Sequence, residues 1–205
     1  LYILGDLFEA WVGDDHDEAV AHATAHRLKS LVGAGTPVYF MHGNRDFMLA
    51  QRYAAQSGMT LLVDPTRIDL YGVPTLLMHG DTLCTDDAAY QTFRRRVRHP
   101  LTRALLRFLP LALRHRLARR ARAGSESAKA GKPAEIMDVN ADEVVRVLRE
   151  QRASRLIHGH THRPAQHVHA VDGRDCWRWV VPDWYARWGY VVCDAAGCAL
   201  KMEDL

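Results

Sequence analysis

Four short stretches of the sequence combine an apolar run, a glycine and a side chain that can bind metal. The run "LYILGD" ends at Asp6, "VYFMHGN" ends at Asn44, "TLLMHG" contains His79, and "LIHGHTH" contains His160 and His162. An apolar run followed by a glycine is typical of a strand that ends in a turn. One carboxylate, one amide oxygen and several imidazoles suit a borderline divalent ion such as Mn²⁺, Fe²⁺ or Zn²⁺. The sequence therefore predicts a metal centre at one edge of a sheet.

Other polar residues beside these stretches are expected to support the ligands. The histidines of "LIHGHTHRP" alternate, so His158 shares their side of the chain, but we interpret it as a buried residue that orients a ligand. We expect His42 to pack beneath its turn and Asp81 to brace a ligand or the loop. Asp46 is expected to cap a helix that starts there. We expect Asp14 and Asp15 to support the rim of the site, and we do not count them as metal ligands.

The composition indicates one domain with an insertion. The chain has 205 residues, of which 48% are hydrophobic and 25% charged, enough for one sizeable core. No stretch approaches the roughly 18 apolar residues of a membrane span, and no signal peptide is visible. The cysteines form no CxxC pair, which favours neutral packing of each and a reduced, cytoplasmic setting; they are Cys84, Cys176, Cys193 and Cys198. The chain begins at Leu1 without Met, so we expect a fragment that lacks its N-terminal segment.

Apolar runs alternate with helical segments, which predicts an α/β fold. The predicted strands are 1–5, 37–42, 60–63, 74–79 and 155–158. The predicted helices are 18–33, 46–57 with Gly58 as its C-terminal cap, and a third after Asn140, which has capping-box spacing with Glu143. After Pro164, the runs "QHVHAV", "CWRWVV" and "GYVVC" predict an antiparallel meander that completes a second sheet.

Residues 88–140 have a different composition. Arginines crowd residues 94–122, a stretch without an acidic residue, although the net charge of the chain is only +3. Apolar residues recur there at mostly helical spacing, and "GSESAKAGKP" is typical of a flexible link; the apolar set is Leu101, Leu105, Phe108, Leu109 and Leu117. We interpret the segment as a basic amphipathic insertion. Three interpretations of the segment remain open. It forms a solvated helical face, contacts an anionic lipid surface or binds an anionic substrate.

The order GD, GN, H and GHxH resembles the calcineurin-like metallophosphoesterase superfamily. Within it, the stretches "LYILGDLFEAWVGDD", "GNRDF", "HGDTLCTDD" and "HGHTHRP" are most similar to the UDP-2,3-diacylglucosamine diphosphatase family of lipid A biosynthesis. The resemblance implies a metallophosphoesterase β-sandwich flanked by helices, with a core at 1–87 and 141–205 and a helical lid insertion at 88–140. The superfamily's first motif, Asp-x-His, would lie upstream of Leu1. Arg45 stands where most members have His.

The resemblance also implies the roles of individual residues. Asp6 would bridge two divalent ions, with Mn²⁺ preferred. One ion would take Asn44, His79 and His160, and the other would take His162. Such ions, roughly 3.5–4 Å apart, can hold a hydroxide between them. The catalytic residues would be Asn44, Arg45 and His160, and the substrate-binding residues would be Asn44, Arg45, Asp87, Tyr90, Ser125, Lys129, Lys132 and His160.

The implied reaction is hydrolysis of a diphosphate bond by attack on the phosphorus nearer uridine, giving UMP and diacylated glucosamine 1-phosphate. The substrate is a lipid-linked nucleotide sugar, and the implied location is cytoplasmic, peripheral on the anionic inner face of the inner membrane. The sequence indicates no oligomeric state. A broad phosphodiesterase or nuclease is an alternative, but only Phe93 and Phe108 lie among the arginines for base stacking, so no nucleic acid is expected. Another alternative is a binding protein on a phosphoesterase fold that has lost its catalytic function. Such a protein would be expected to have lost metal ligands, whereas all five predicted ligands are present here.

Overall fold

Three short parallel strands form the sheet of a first unit, which comprises Leu1–Leu62 and Asp87–Met137. The computed structural model describes residues 1–130, 136, 138–185 and 187–204. The strands are β1 (Tyr2–Ile3), β2 (Tyr39–Met41) and β3 (Thr60–Leu62), in that order across the sheet. All three strands were predicted, but the predicted ranges are longer than the observed ones. Their core is built from aromatic and aliphatic side chains, among them Trp11, Phe40 and Tyr53.

Two helices connect these strands. The first, α1 (Ala19–Gly33), agrees with the prediction, whereas α2 spans only Gln51–Ser57. The prediction that Asp46 caps a helix starting there is wrong, because its carboxylate instead accepts hydrogen bonds from main-chain amides of two turns. Gly58 ends α2 in the left-handed conformation at φ 72°, as its lack of a Cβ allows.

The basic segment is helical, as predicted. It forms α3 (Ala88–Arg98), α4 (Pro100–Phe108) and α5 (Leu111–Ala130). Pro100 occupies the first turn of α4, where its missing amide hydrogen costs nothing. The prediction of a flexible link is wrong for residues 124–130, which continue α5 because Gly124 is the only helix-weakening residue among them. Residues 131–133 of that link lie outside the described part of the chain.

The second unit, Val63–Asp86 with Asp138–Leu205, contains a five-stranded sheet. Its strands are β4 (Thr66–Leu70), β5 (Val73–Met78), β6 (Arg155–His158), β7 (Ala165–Val171) and β8 (Arg174–Val180). Their order is β4-β5-β6-β8-β7, with the central three parallel and both edge strands antiparallel. β4 was not predicted. The last helix, α6 (Ala141–Glu150), buries Val144, Val147 and Leu148 in this unit's core, roughly 1.5–3 kcal/mol for each fully buried side chain.

Asn140 caps α6, as its spacing predicted: its side-chain oxygen accepts from the amides of Asp142 and Glu143. The predicted meander is only partly right. β7 and β8 pair antiparallel, but β8 also joins β6, and β9 (Arg187–Asp194) pairs with β10 (Gly197–Asp204) in a separate hairpin.

The cysteines divide into two kinds. Cys84 and Cys176 are buried thiols, as expected. The expectation of a neutral thiol is wrong for Cys193 and Cys198, which form a disulfide because the hairpin places them directly opposite each other. Among the helices of the described residues, none has the length and apolar character needed to cross a membrane.

Candidate metal centre

In the first unit, β1 and β2 bring the two predicted oxygen ligands to one edge of the sheet. The strands are parallel, so the turns that carry Asp6 and Asn44 both follow carboxyl ends. Asp6 has a positive φ of 55°, and its Oδ1 accepts from the amide of Arg45 at 2.9 Å. A Cβ at Gly43 would lie 2.1 Å from that Oδ1, so only glycine allows this close approach.

Asp46 fastens the two turns together. It is fully buried, and its carboxylate accepts from the amides of Leu7 and Gly43, each at 2.7 Å. Hydrogen bonds from a main-chain amide to a carboxylate are about twice as strong as neutral ones. The position of the oxygen ligands therefore depends on a buried carboxylate that is not itself one of the predicted ligands.

In the second unit, β5 and β6 present the imidazoles. The strands are parallel, and the buried His79 follows β5 while His160 follows β6. Each residue offers a ring nitrogen within 4.8 Å of the other, and the ring centroids are 5.0 Å apart. Gly159 supports this arrangement, because its amide donates to the carbonyl of His79 at 2.9 Å. Two imidazole nitrogens at this separation fit a shared divalent ion.

His158, the last residue of β6, is fully buried. Burial lowers the pKa of His158 to about 3, so the ring is neutral. Its Nε2 lies 3.1 Å from Nη1 of Arg178, and Nδ1 lies 2.9 Å from the carbonyl of Gly159. A guanidinium only donates, so Nε2 accepts and Nδ1 carries the proton. Both ring nitrogens are thus used within the protein, which is consistent with a supporting role.

His162 is oriented by a carboxylate. Its Nδ1 lies 2.9 Å from Oδ2 of Asp183, and its ring stacks on Tyr185 with centroids 5.9 Å apart. A carboxylate on one nitrogen is the usual arrangement for a histidine that binds metal through the other. The geometry of His162 within its unit fits the predicted role.

The guanidinium of Arg45 contacts carboxylates. Its Nη1 lies 2.5 Å from Oε2 of Glu9, and its Nε lies 3.7 Å from Oδ2 of Asp6. The same oxygen of Glu9 lies 2.6 Å from Nη1 of Arg122 on α5. Two guanidiniums therefore meet at one carboxylate, and the sequence did not single out either Glu9 or this role for Arg122.

The predicted substrate residues of the insertion occupy different positions. Asp87 is the N-cap of α3, where its Oδ1 accepts from the amide of Tyr90 at 3.0 Å. Ser125 is exposed on α5. Lys129 lies on the same helix, but its side chain and the whole of Lys132 fall outside the described part of the chain.

The "GDD" stretch joins the first-unit loop to its helices. Oδ1 of Asp14 accepts from the indole of Trp11 and the amide of Ala50, at the start of α2. The buried Arg114 donates to both oxygens of Asp15 and to the carbonyl of Val12. The hydrogen bond from Arg114 lowers the pKa of Asp15 below 3.8.

The remaining residues predicted to support the site are His42 and Asp81, and the structure adds Arg178 to them. His42 is half-buried, with Nε2 2.7 Å from the carbonyl of Leu49, and burial lowers its pKa. Asp81 is buried at the start of a 3₁₀ turn after His79. The addition is Arg178 on β8, which also donates from Nε to His169. Its sequence signal was a charge inside the apolar run "CWRWVV".

Comparison with known proteins identifies the family of this chain. The profile of the calcineurin-like phosphoesterase family matches residues 1–164. Three similar relatives are each named UDP-2,3-diacylglucosamine hydrolase. The one from Klebsiella pneumoniae is 52% identical, covering 91% of this chain and 78% of the relative. The one from Pseudomonas paraeruginosa is 51% identical, covering 99% and 81%, and that from Cellvibrio japonicus is 49% identical, covering 100% and 85%. The chain belongs to the calcineurin-like phosphoesterase family, whose members use divalent metal ions.

Proposed function

We propose that this chain hydrolyses the diphosphate bond of UDP-2,3-diacylglucosamine to UMP and 2,3-diacylglucosamine 1-phosphate, a step of lipid A synthesis. The observation that carries the proposal is the similarity to relatives named for this substrate, which are about half identical and cover 91–100% of the chain. Two turns with oxygen groups, in the first unit, and two turns with imidazoles, in the second, would supply the chemistry that the reaction needs.

The proposed cofactors are two divalent ions, with Mn²⁺ preferred. The donors present fit such ions, since carboxylate, amide and imidazole together suit borderline metals; they would be Asp6, Asn44, His79, His160 and His162. Bound there, the ions would activate water and offset negative charge on the phosphoryl oxygens. Asp6 would be shared by both ions, because a carboxylate has two oxygens to offer.

Arg45 would bind the phosphate under attack. Its planar guanidinium is always charged and can donate two parallel hydrogen bonds to phosphate oxygens. Most superfamily members have His at this position, which can also pass a proton to the leaving group. Attack on the phosphorus nearer uridine expels a sugar phosphate, which needs less protonation than an alkoxide. The replacement by Arg45 is therefore compatible with diphosphate hydrolysis. Asn44 and His160 would contact the same phosphate.

The insertion would bind the rest of the substrate. Two acyl chains require an apolar groove beside positive charge, and α3, α4 and α5 provide both kinds of side chain. Tyr90 is half-buried near the start of α3. The other proposed contacts to the sugar, phosphate or acyl groups are Asp87, Ser125, Lys129 and Lys132.

One face of α4 would meet the membrane. Leu101, Leu105 and Phe108 follow each other at intervals of four and three residues, and they are 75%, 63% and 86% exposed. Apolar side chains so exposed beside Arg103 and Arg107 suit an anionic lipid surface. The proposed location is therefore the inner face of the cytoplasmic membrane.

A substrate panel tests the proposed function. The metal-loaded protein should release UMP from UDP-2,3-diacylglucosamine, and UDP-glucosamine without acyl chains should be a much poorer substrate. A simple diester such as bis(p-nitrophenyl) phosphate reports whether the chemistry is intact. Equal rates on the acylated and non-acylated nucleotide sugars would exclude a role of the acyl chains in recognition.

A vesicle sedimentation experiment tests the membrane face. Replacement of Leu105 and Phe108 by Ser should abolish binding to vesicles that contain phosphatidylglycerol, because the face loses its apolar area. The matched control replaces Val63 and Tyr71, two exposed apolar residues of the other unit, by Ser. Equal loss of binding in both variants would reject α4 as the specific contact.

A further inference from the structure

A single carboxylate oxygen holds two guanidiniums of the first unit together. Oε2 of Glu9 lies 2.5 Å from Nη1 of Arg45 and 2.6 Å from Nη1 of Arg122. The three residues come from the loop after β1, the turn after β2 and α5. Two positive charges this close repel each other unless an anion lies between them. Oε2 of Glu9 supplies to both arginines the anionic oxygen that a phosphate could also supply.

The exposure of these side chains makes Glu9 displaceable. The side chains of Glu9 and Arg122 are 52% and 47% exposed, whereas that of Arg45 is only 22% exposed. Ion pairs that water reaches contribute little to stability, so breaking the contacts of Glu9 costs little. A phosphate group carries more charge than a carboxylate and accepts from two guanidinium forks at once. It should therefore replace Glu9 rather than be excluded by it.

We propose that Glu9 is an internal counterion that the diphosphate of the substrate displaces, and that Arg122 then binds this diphosphate together with Arg45. The inference rests on the proposed function, because it takes Arg45 as a phosphate-binding residue. Before substrate binds, Glu9 screens the charges of the two arginines. During binding it competes, so it raises KM and discriminates against anions of low charge. The chemical step itself does not involve Glu9.

A purely structural role of Glu9 makes the opposite prediction. If Glu9 only orients Arg45, removal of its charge would loosen the guanidinium and weaken substrate binding. If Glu9 competes with the diphosphate, the same change strengthens binding. The direction of the change in KM therefore separates the two roles.

The test compares Glu9→Gln with Glu18→Gln, which also removes one exposed carboxylate of the same unit but one that pairs with His16. Glu9→Gln should lower KM by up to about fivefold with kcat unchanged, the range expected for an exposed ion pair. Arg122→Gln should raise KM, and Glu18→Gln should leave both constants as in the wild type. A raised KM or lowered kcat in Glu9→Gln, or an unchanged KM in Arg122→Gln, would overturn the proposal.

A binding measurement distinguishes failure of this inference from failure of the proposed function. Inorganic pyrophosphate is titrated calorimetrically into the metal-loaded wild type, Glu9→Gln and Glu18→Gln proteins. Glu9→Gln should bind it more tightly than the other two, and the difference should shrink at high salt. This result does not depend on turnover, so a wild type that fails to hydrolyse the diacyl substrate would reject the function alone. Equal affinities would reject the role of Glu9.

Discussion

The two units fix their ligand turns in different ways. In the first unit, main-chain amides hold the oxygen groups: the amide of Arg45 binds Asp6, and two further amides bind Asp46. In the second unit, hydrogen bonds between side chains run from the half-buried His169 through Arg178 to the buried His158, two residues before His160. The positions of the oxygen groups thus depend on the main-chain shape of their turns, whereas the positions of the imidazoles depend on side-chain partners in neighbouring strands.

This difference suggests that the two units have different roles. The second unit offers His79 and His160 close together, which favours the binding of metal. The first unit places guanidiniums beside its oxygen groups, which favours the binding of phosphate. We expect loss of the second unit's imidazoles to lower metal affinity, and changes of the first unit's guanidiniums to alter substrate binding without loss of metal.

The largest effect is expected for His79→Ala. Loss of one buried imidazole should remove bound Mn²⁺ and reduce activity below detection, because the remaining donors hold the ion poorly. Metal analysis after gel filtration, together with UMP release, checks this. The control is His22→Ala, since His22 is an exposed residue paired with Asp17. A His79→Ala protein with full metal content would contradict the proposal that the imidazoles of the second unit control metal binding.

Arg45→Lys should have the next largest effect, with the opposite signature. Lysine keeps the charge but loses the planar fork, so kcat/KM should fall at least about tenfold, as for the loss of a charged hydrogen bond. Metal content should stay at the wild-type value. Arg149→Lys is the control, because Arg149 pairs with Asp172 on the other unit's surface. Metal loss in Arg45→Lys would contradict the separation of roles.

Arg178→Met tests the supporting chain of the second unit. Met fills a similar volume but cannot donate to His158, so the affinity for Mn²⁺ should fall roughly 10–100-fold, as for other residues that orient ligands. Metal titration followed by calorimetry measures this. Arg174→Met, an exposed arginine on the same strand, should bind metal normally. Unchanged affinity in Arg178→Met would mean that the chain does not position the imidazoles.

The smallest effect concerns pH and the first unit. Arg114 holds the pKa of Asp15 below 3.8, so this pair contributes fully above that pH and loses its contribution as pH falls through the lower folded value. Asp15→Asn should therefore be less stable than the wild type at pH 7, and the difference should shrink as the pH falls below the ordinary pKa of an aspartate. Thermal unfolding across this range checks the prediction, with Asp17→Asn as the control. A difference that stays constant or grows as the pH falls would contradict it.

Local signals were sufficient for much of the fold. Gly58 and Asn140 could be identified as helix ends from residues close by in the sequence. Gly58 adopts the left-handed conformation that ends α2, and the side chain of Asn140 accepts hydrogen bonds from the first amides of α6. The ligand turns could also be predicted, since an apolar run and a glycine define a strand end. β4 was missed because "TRIDL" is an edge strand whose alternation includes two charged residues.

Features that depend on register or distant partners could not be predicted. The disulfide of Cys193 and Cys198 requires the register of the β9–β10 hairpin. The start of α2 was placed too early because Asp46 binds amides of two turns instead of capping the helix. The contact of Glu9 with two arginines joins residues up to 113 positions apart, which no spacing rule reveals.

The most direct test of the account is UMP release from UDP-2,3-diacylglucosamine by protein with and without its metal. The account predicts that chelator-treated protein releases no UMP, that Mn²⁺ restores release, and that 2,3-diacylglucosamine 1-phosphate appears in equal amount. Full turnover by the metal-free protein, or release of UDP in place of UMP, would contradict metal-dependent hydrolysis of the diphosphate bond.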